Sequence, residues 1–212
     1  SGYSLEEKND YNHNDIKSLT FLGFICLIDP LRSESISAIR KCKEAGVKVL
    51  MVTGDHPATA LAIGKQLEIA DKNEDVITGK EIEGLRDGEL INLLSSKTIF
   101  ARVTPMQKLE IVEALIKTGN YVAVTGDGVN DAPALRKAHI GVAMGSGTDI
   151  AKDVSSMIVT DDNFSSIVSG IEEGRYTYDN IRKVIYLLIS TGAAEIFLFL
   201  FSLLAGLSIP LV

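Results

Sequence analysis

Two aspartates near the middle of the sequence are well suited to hold a metal ion. They follow the apolar run Tyr121–Val124, which is short and uncharged and therefore indicates a buried parallel strand. Asp127 comes at the C-terminal end of this strand, and Asp131 comes near the start of the next short helix. Carboxylates at the C-terminal edge of a parallel sheet suit Mg²⁺, and free N–H groups at a helix start suit an anion. The motif therefore predicts a site for Mg²⁺ and phosphate.

A second Thr-Gly-Asp sequence, Thr53–Asp55, also follows an apolar run and precedes a helix pattern. Parallel strands that are joined by helices bring their C-terminal loops to one edge of a sheet. We therefore expect both loops to lie together in a single open α/β sheet. The Thr53 hydroxyl and the backbone N–H groups of Gly54 and Asp55 could bind phosphoryl oxygens. A lone Thr-Gly-Asp would indicate only a turn, but its duplication favours a site.

Lys108 comes in the first turn of a helix that follows a third predicted strand, Thr98–Ala101. Thr104, Pro105 and Gln107 mark the start of this helix as N-cap, first and third residues. A single lysine on a helix is usually a solvated charge. At this place, however, Lys108 could reach over the sheet edge and neutralise charge on a transferring phosphoryl group.

The segment Thr125–Leu135, with the sequence Thr-Gly-Asp-Gly-Val-Asn-Asp-Ala-Pro-Ala-Leu, resembles the hinge motif of P-type cation-transporting ATPases. Further matches are Thr-Ala at 59–60 after the Thr-Gly-Asp loop, Arg-x-x-Pro-x-x-Lys from Arg102 to Lys108, and Asp29–Arg32 in place of the family's Asp-Pro-Pro-Arg. Together they extend the resemblance to nearly the whole chain. The resemblance implies a haloacid dehalogenase-like fold: an open parallel sheet with flanking helices, followed by a long stalk and transmembrane helix.

The resemblance also implies roles for the candidate residues. Asp127 would bind Mg²⁺, and Asp131 would be a second ligand or would orient the site. Arg102 would contact the nucleotide or a neighbouring carboxylate. The residues that would stabilise the phosphoryl group donated by ATP are Thr53, Gly54, Asp55, Lys108 and Asn130. Considered individually, Asn130 and Asp131 could equally cap the following helix.

A helix pattern begins at Phe164 and continues into the apolar stretch Val184–Leu207. This stretch of about 24 residues is long enough to cross a bilayer core, although a buried core helix or hairpin partner is the alternative. Lys and Arg lie only on its N-terminal side, so we expect residues before about 184 to be cytoplasmic. The chain is accordingly expected to be an integral membrane protein.

Glu195 lies in the middle of this apolar stretch. A carboxylate in a membrane is costly unless it is paired, protonated or bound to an ion, so it indicates a functional site. The segment is similar to the fifth transmembrane helix of calcium-type pumps, in which Glu195 matches a ligand of the transported cation. Gly192 stands where those pumps have an asparagine ligand, so the identity of the ion and the number of sites stay open.

Composition and the resemblance together predict the organisation of the chain. Its 212 residues carry a net charge of −7, which argues against a nucleic-acid partner, and its two cysteines are expected to be small core residues. Residues 1–28 would end a nucleotide-binding domain and hinge. Residues 29–163 would form part of a phosphorylation domain, and residues 164–212 the stalk and transmembrane helix.

The family phosphorylates the aspartate of Asp-Lys-Thr-Gly-Thr, a sequence that is absent from these 212 residues, as is the Asp-x-Asp-x-Thr nucleophile of soluble relatives. We therefore expect a piece of a larger pump. Its partners would be the remaining nucleotide and actuator domains, the other transmembrane helices, lipid and the transported cation. Calcium is the first expectation, with a sodium or proton-coupled pump still open. The alternatives are a haloacid dehalogenase-type phosphatase and a membrane-anchored, non-catalytic module that binds Mg²⁺ and phosphate.

Overall fold

A computed structural model describes residues 20–25 and 30–207, and the chain divides into two compact units, Ser1–Pro30 and Leu31–Val212. The described part of the first unit has no regular secondary structure. The remainder of that unit lies outside the described residues, as does one of the two cysteines, Cys26. All helices and strands given below belong to the second unit.

Helices and strands alternate along the second unit, as the sequence pattern predicts. The helices are α1 (Ser33–Glu44), α2 (Pro57–Gln66), α3 (Gly79–Ile82), α4 (Asp87–Ser96), α5 (Pro105–Lys117), α6 (Ala132–Lys137), α7 (Asp149–Val154) and α8 (Phe164–Leu204). The strands are β1 (Met51–Val52), β2 (Val76–Thr78), β3 (Ile99–Ala101), β4 (Ala123–Gly126), β5 (Ile140–Met144) and β6 (Met157–Val159). Single turns of 3₁₀ helix occur at Asn73–Asp75 and Val129–Asp131.

The strands are all parallel, as expected, but they form two three-stranded sheets instead of one. The strand orders are β1-β3-β2 and β4-β5-β6. β1 and β4, the strands that lead into the two Thr-Gly-Asp loops, therefore each form an edge of their own sheet. Among the described residues each of these strands has a paired neighbour on one side only, so no strand pairing joins the two sheets.

The segment 70–86 is polar and contains glycines, a pattern that predicts loops and short turns, but the structure differs. It contains β2 and the single turn of α3. The strand is three residues long, and only its central residue, Ile77, is buried. So short an apolar run carries too little periodicity to indicate a strand. Its pairing with β3 is instead a tertiary contact.

β3 forms the centre of the core and determines where the following segment begins. Ile99 and Phe100 are both 0% exposed. Phe100 packs in a cluster with residues of α4 and α5, whereas Ile99 packs in a cluster with residues of α1 and α2. Successive side chains of a strand point to opposite faces, so helices cover both faces of the sheet. The chain leaves β3 directly into the segment that carries Arg102 and Lys108.

The first turns of α8 pack along α1. Val168 is buried against Ala38 and Cys42, and burial raises the pKa of the Cys42 thiol. The Glu172 carboxylate lies 3.3 Å from the Lys41 ammonium. From residue 172 to residue 191 all residues of α8 are exposed, so this contact with α1 is what anchors the long helix.

We expect Val168→Ala to lower the free energy of unfolding of the Leu31–Val212 unit by about 1–2 kcal/mol, because it removes buried methylene-sized groups from the α1–α8 contact. Urea unfolding in detergent would measure the loss. Ser169→Ala is the matched control, since Ser169 is the next residue of the helix and is exposed. Equal stability of Val168→Ala and the wild type would contradict an anchoring role for this contact.

Candidate functional site

The loop that follows β1 is closed by its own side chains. The Thr53 hydroxyl donates to an Asp55 carboxylate oxygen at 2.8 Å, and the Asp55 N–H donates back to Thr53 Oγ1 at 3.1 Å. Such bonds are common in turns, because short polar side chains can satisfy nearby backbone groups. Gly54 and Asp55 are exposed, so the loop is accessible to a ligand.

The segment after β3 is tied to this loop through its backbone. The Arg102 N–H donates to the Asp55 carbonyl and the Val103 N–H donates to the Thr53 carbonyl, each at 3.1 Å. Arg102 has a φ of 54°, in the left-handed region that few residues other than glycine adopt. Arg102 is exposed, and it is the backbone of this segment that makes the contacts with the loop.

Lys108 and Asp131 form an ion pair between α5 and the turn after β4. Lys108 Nζ donates to Asp131 Oδ1 at 2.6 Å, and the two side chains are only 19% and 15% exposed. The other carboxylate oxygen of Asp131 accepts from the N–H groups of Asp127 and Gly128, at 3.4 and 3.3 Å. Both oxygens of Asp131 are therefore engaged by the protein, which favours an orienting role over a direct metal ligand.

Gly126 allows Asp131 to approach the strand end. A Cβ atom at this position would lie 2.6 Å from Asp131 Cβ and 2.9 Å from its carboxylate. Real Cβ atoms do not come so close, so a larger residue would displace the Asp131 side chain. The glycine of this Thr-Gly-Asp sequence is thus required by packing.

Asp127 combines a fixed backbone with a free carboxylate. Its carbonyl accepts from the Thr148 N–H at 2.8 Å, and Gly147 comes so close that a Cβ there would lie 2.9 Å from the same carbonyl oxygen. Within the part of the chain that the structure describes, no hydrogen bond or ion pair engages the exposed Asp127 carboxylate. Asn130 is exposed as well. A held backbone with an available carboxylate is the arrangement that a metal ligand needs.

The donor set is consistent with Mg²⁺ bound through one carboxylate. Residues 20–25 and 30–207 contain no group of three or more His, Cys, Asp or Glu side chains that could hold a metal ion. Mg²⁺ prefers octahedral oxygen ligands, keeps several waters and is commonly bound through one or two carboxylates plus phosphate oxygens. The exposed Asp127 carboxylate fits that chemistry.

The structure brings the predicted site residues together in two groups. The first group comprises Lys108, Asp127, Asn130 and Asp131. The second group comprises Arg102 and the loop of Thr53, Gly54 and Asp55. The segment from Arg102 to Lys108 belongs to both groups, so it connects them. Gly147 was not among the predicted site residues, although the sequence Gly-Ser-Gly-Thr at 145–148 before a helix is typical of a tight turn.

Glu195 lies in α8, apart from both groups. It is exposed, and about 45 Å of helix separates it from Phe164 at 1.5 Å per residue. By length and composition α8 could cross a membrane, and none of its most apolar window is buried. The structure thus confirms the predicted long apolar helix as one unbroken element.

This chain is similar to known proteins in both sequence and fold. The family model for haloacid dehalogenase-like hydrolases matches residues 4–139. The calcium-transporting ATPase of Bacillus subtilis (strain 168) is 49% identical over 197 residues, which cover 92% of this chain and 22% of that protein. The potassium-transporting ATPase alpha chain 2 of Oryctolagus cuniculus is 44% identical over 221 residues, which cover 92% of this chain and 20% of that protein.

A solved structure shows the same relationship. A zinc-transporting PIB-type ATPase in the E2.Pi state matches with a TM-score of 0.61 and 30% identity, over 85% of this chain and 24% of that one. The chain spans less than a quarter of the length of each of these three relatives. The family match, the parallel sheets with flanking helices and the long apolar helix all agree. The chain therefore belongs to the haloacid dehalogenase-like hydrolase family, and within that family it is similar over most of its own length to P-type cation-transporting ATPases.

Proposed function

We propose that this chain is part of an ATP-driven P-type pump that moves a divalent cation across a membrane through an aspartyl-phosphate intermediate. Calcium is the first candidate for that cation. The observation that carries this proposal is the free carboxylate of Asp127 beside the Lys108–Asp131 ion pair. An available carboxylate suits Mg²⁺, and an ammonium group next to it suits a phosphoryl group. The two groups thus provide half of a phosphoryl-transfer site.

Within this half-site each residue has a distinct task. Asp127 would hold Mg²⁺, which supplies positive charge against the phosphate oxygens. Asp131 would keep both the Asp127 loop and Lys108 in place. Lys108 has three N–H donors, so it can contact Asp131 and a phosphoryl oxygen together. Donors placed where charge develops lower the barrier of phosphoryl transfer.

The Thr53–Asp55 loop, which follows β1, would contact the same phosphoryl group. The Thr53 hydroxyl would turn from Asp55 towards a phosphoryl oxygen, and Gly54 and Asp55 would offer their backbone N–H groups. Asn130 would donate from its exposed side-chain amide. Arg102 would extend its exposed guanidinium towards the nucleotide.

The free edges of β1 and β4 support a further strand supplied from outside this chain. Each strand is paired on one side only, and Ala123 and Thr125 of β4 are exposed. A parallel strand that paired with both edges would end between the two Thr-Gly-Asp loops. We propose that this strand carries the aspartate that ATP phosphorylates, in the remaining part of the same pump.

The membrane part of the proposal depends on α8. Its exposed apolar surface would face lipid and neighbouring transmembrane helices, residues before about 184 would be cytoplasmic, and Glu195 would bind the transported cation. Calcium is supported by the similarity to a calcium-transporting ATPase. Other relatives are named for potassium and for zinc, so the transported ion needs a direct measurement.

The purified 212-residue chain should hydrolyse no ATP, because Asp-Lys-Thr-Gly-Thr is absent from it. The intact protein, reconstituted in vesicles, should form a hydroxylamine-sensitive phosphoenzyme from ATP and accumulate calcium. Steady ATP hydrolysis by the chain alone would contradict the proposed division of the site. Hydrolysis of generic phosphomonoesters by the chain would instead support a phosphatase, and Mg²⁺ binding without phosphoenzyme in the intact protein would support a non-catalytic module.

A further inference from the structure

Gln107 makes more contacts than helix capping requires. Its side-chain oxygen accepts from the Thr104 N–H at 3.0 Å and from the Thr104 hydroxyl at 3.2 Å, and the Gln107 N–H donates to Thr104 Oγ1 at 3.3 Å. These bonds form the capping box of α5. The side-chain amide also donates to the Gly79 carbonyl at 2.8 Å. Gln107 therefore joins the start of α5 to the end of β2.

Gly79 is pressed against the same segment. A Cβ atom at Gly79 would lie 2.4 Å from the Arg102 carbonyl oxygen and 2.6 Å from the Gln107 side-chain oxygen. No side chain fits in this space, so the backbone of α3 seats directly on the residues between β3 and α5. The contact ties this segment to the end of β2, which is the edge strand on the side of β3 opposite β1.

The segment held in this way links both halves of the candidate site. At its start, Arg102 and Val103 bond to the Thr53–Asp55 loop. At its end, Lys108 directly follows Gln107 and reaches Asp131. A shift of the first turn of α5 would therefore move the Lys108 ammonium relative to Asp131.

We propose that Gln107 is a positioning residue that holds Lys108 against Asp131 through its hydrogen bond to the Gly79 carbonyl. The inference rests on the proposed function for what Lys108 does, but the positioning itself concerns only residues of this chain. The Gln107 side chain thus has two separate tasks. The oxygen caps the helix, and the nitrogen fixes where the helix begins.

Gln107→Glu distinguishes these two tasks. A glutamate keeps the oxygens that accept from Thr104, and glutamate is itself a standard capping-box residue. It has no N–H to donate, and it places a carboxylate oxygen beside the Gly79 carbonyl. Gln66→Glu is the matched control, because it makes the same chemical change at an exposed residue at the end of α2.

Competitive acetylation of lysines in the purified chain, followed by mass spectrometry, reports directly on Lys108. Its rate is normalised to that of Lys72, an exposed lysine before β2. We expect Lys108 to react about fivefold faster in Gln107→Glu and in Gln107→Ala, the factor that corresponds to losing one ordinary hydrogen bond. Gln66→Glu should leave the rate unchanged. Gly79→Ala, which disturbs the contact from the other side, should also raise it and serves if Gln107→Glu does not fold.

An unchanged Lys108 rate in folded Gln107→Glu would overturn the proposal. An equal rise in Gln66→Glu would overturn it as well, because added charge would then explain the effect.

In the intact pump, Gln107→Glu should slow phosphoenzyme turnover about tenfold with an unchanged KM for ATP. Unchanged turnover, in a pump that Lys108→Ala does slow, would also overturn it. If Lys108→Ala has no effect on turnover, the proposed role of Lys108 fails, and the acetylation rates still decide the positioning.

Discussion

Asp127→Ala should slow phosphoenzyme formation in the intact pump by at least about a hundredfold, the scale on which enzymes lose rate when a charge-stabilising group is removed. The reason is that the free Asp127 carboxylate is the proposed Mg²⁺ ligand, and the carboxylate of the nearby Asp131 is already occupied by Lys108 and by two N–H groups. Asp127→Asn should be almost as slow, since an amide oxygen carries no negative charge. Rapid-quench phosphorylation with labelled ATP over a range of Mg²⁺ concentrations would measure both.

The same substitution should leave folding nearly unchanged. The Asp127 side chain is exposed and no hydrogen bond or ion pair among the described residues engages it, so the melting temperature should stay close to that of the wild type. Asp131→Ala should behave differently, because it breaks the ion pair to Lys108 and two bonds to N–H groups. It should lower both stability and rate.

Asp71→Ala is the matched control for Asp127→Ala, since Asp71 is exposed in the loop before β2. It should change neither rate nor stability. Calorimetric titration of the 212-residue chain with Mg²⁺, in the presence of beryllium fluoride as a phosphoryl mimic, would measure whether the half-site binds Mg²⁺. A wild-type rate in Asp127→Ala at low Mg²⁺ would show that the metal is held elsewhere and would contradict the assignment.

Glu195→Gln should weaken the apparent affinity for the transported cation by about tenfold or more, because the affinity of oxygen sites for hard cations depends on how many charged ligands they contain. At saturating cation the rate of phosphorylation should be unaffected, since Glu195 lies far along α8 from the loops that carry Asp127 and Lys108. The cation dependence of ATP hydrolysis and of uptake into vesicles would measure the affinity, and Glu195→Asp would test whether charge alone suffices.

Glu173→Gln is the control for this prediction, because Glu173 lies in the same helix, before the apolar stretch, and is exposed. It should leave the cation affinity unchanged. If Glu195→Gln altered the phosphorylation rate at saturating cation but left the affinity intact, Glu195 would not be a cation ligand. A competition series with calcium, sodium and zinc on the wild type would identify the ion.

The continuity of α8 offers a physical route between the two sites. The helix runs unbroken from Phe164 to Leu204, and its first turns are bound to α1 through Val168 and Glu172. Arg175 adds a bond to the Ala45 carbonyl at 2.6 Å, at the C-terminal end of α1. Phosphorylation could bias cation affinity through this single rigid element, which is the kind of coupling that two linked sites require.

The sequence by itself determined most of the local structure. The start of α5 could be predicted from Thr104, Pro105 and Gln107, because capping depends on residues within one helical turn. The helix pattern from Phe164 and the apolar stretch Val184–Leu207 together predicted the long helix α8. The Thr-Gly-Asp loops and their position after strands could be predicted for the same reason, since each depends on neighbours in the chain.

Only the tertiary structure decided which of the candidate side chains are engaged by the protein and which are free. Asp127 and Asp131 are the same residue type in one motif, and their difference arises because Lys108, 23 residues before Asp131, occupies one of its carboxylate oxygens. The bond from Gln107 to Gly79 spans 28 residues and leaves no local pattern. Strand β2 and the separation into two sheets likewise depend on pairing between distant segments. Such contacts are set by which surfaces meet on folding, and residue spacing does not encode them.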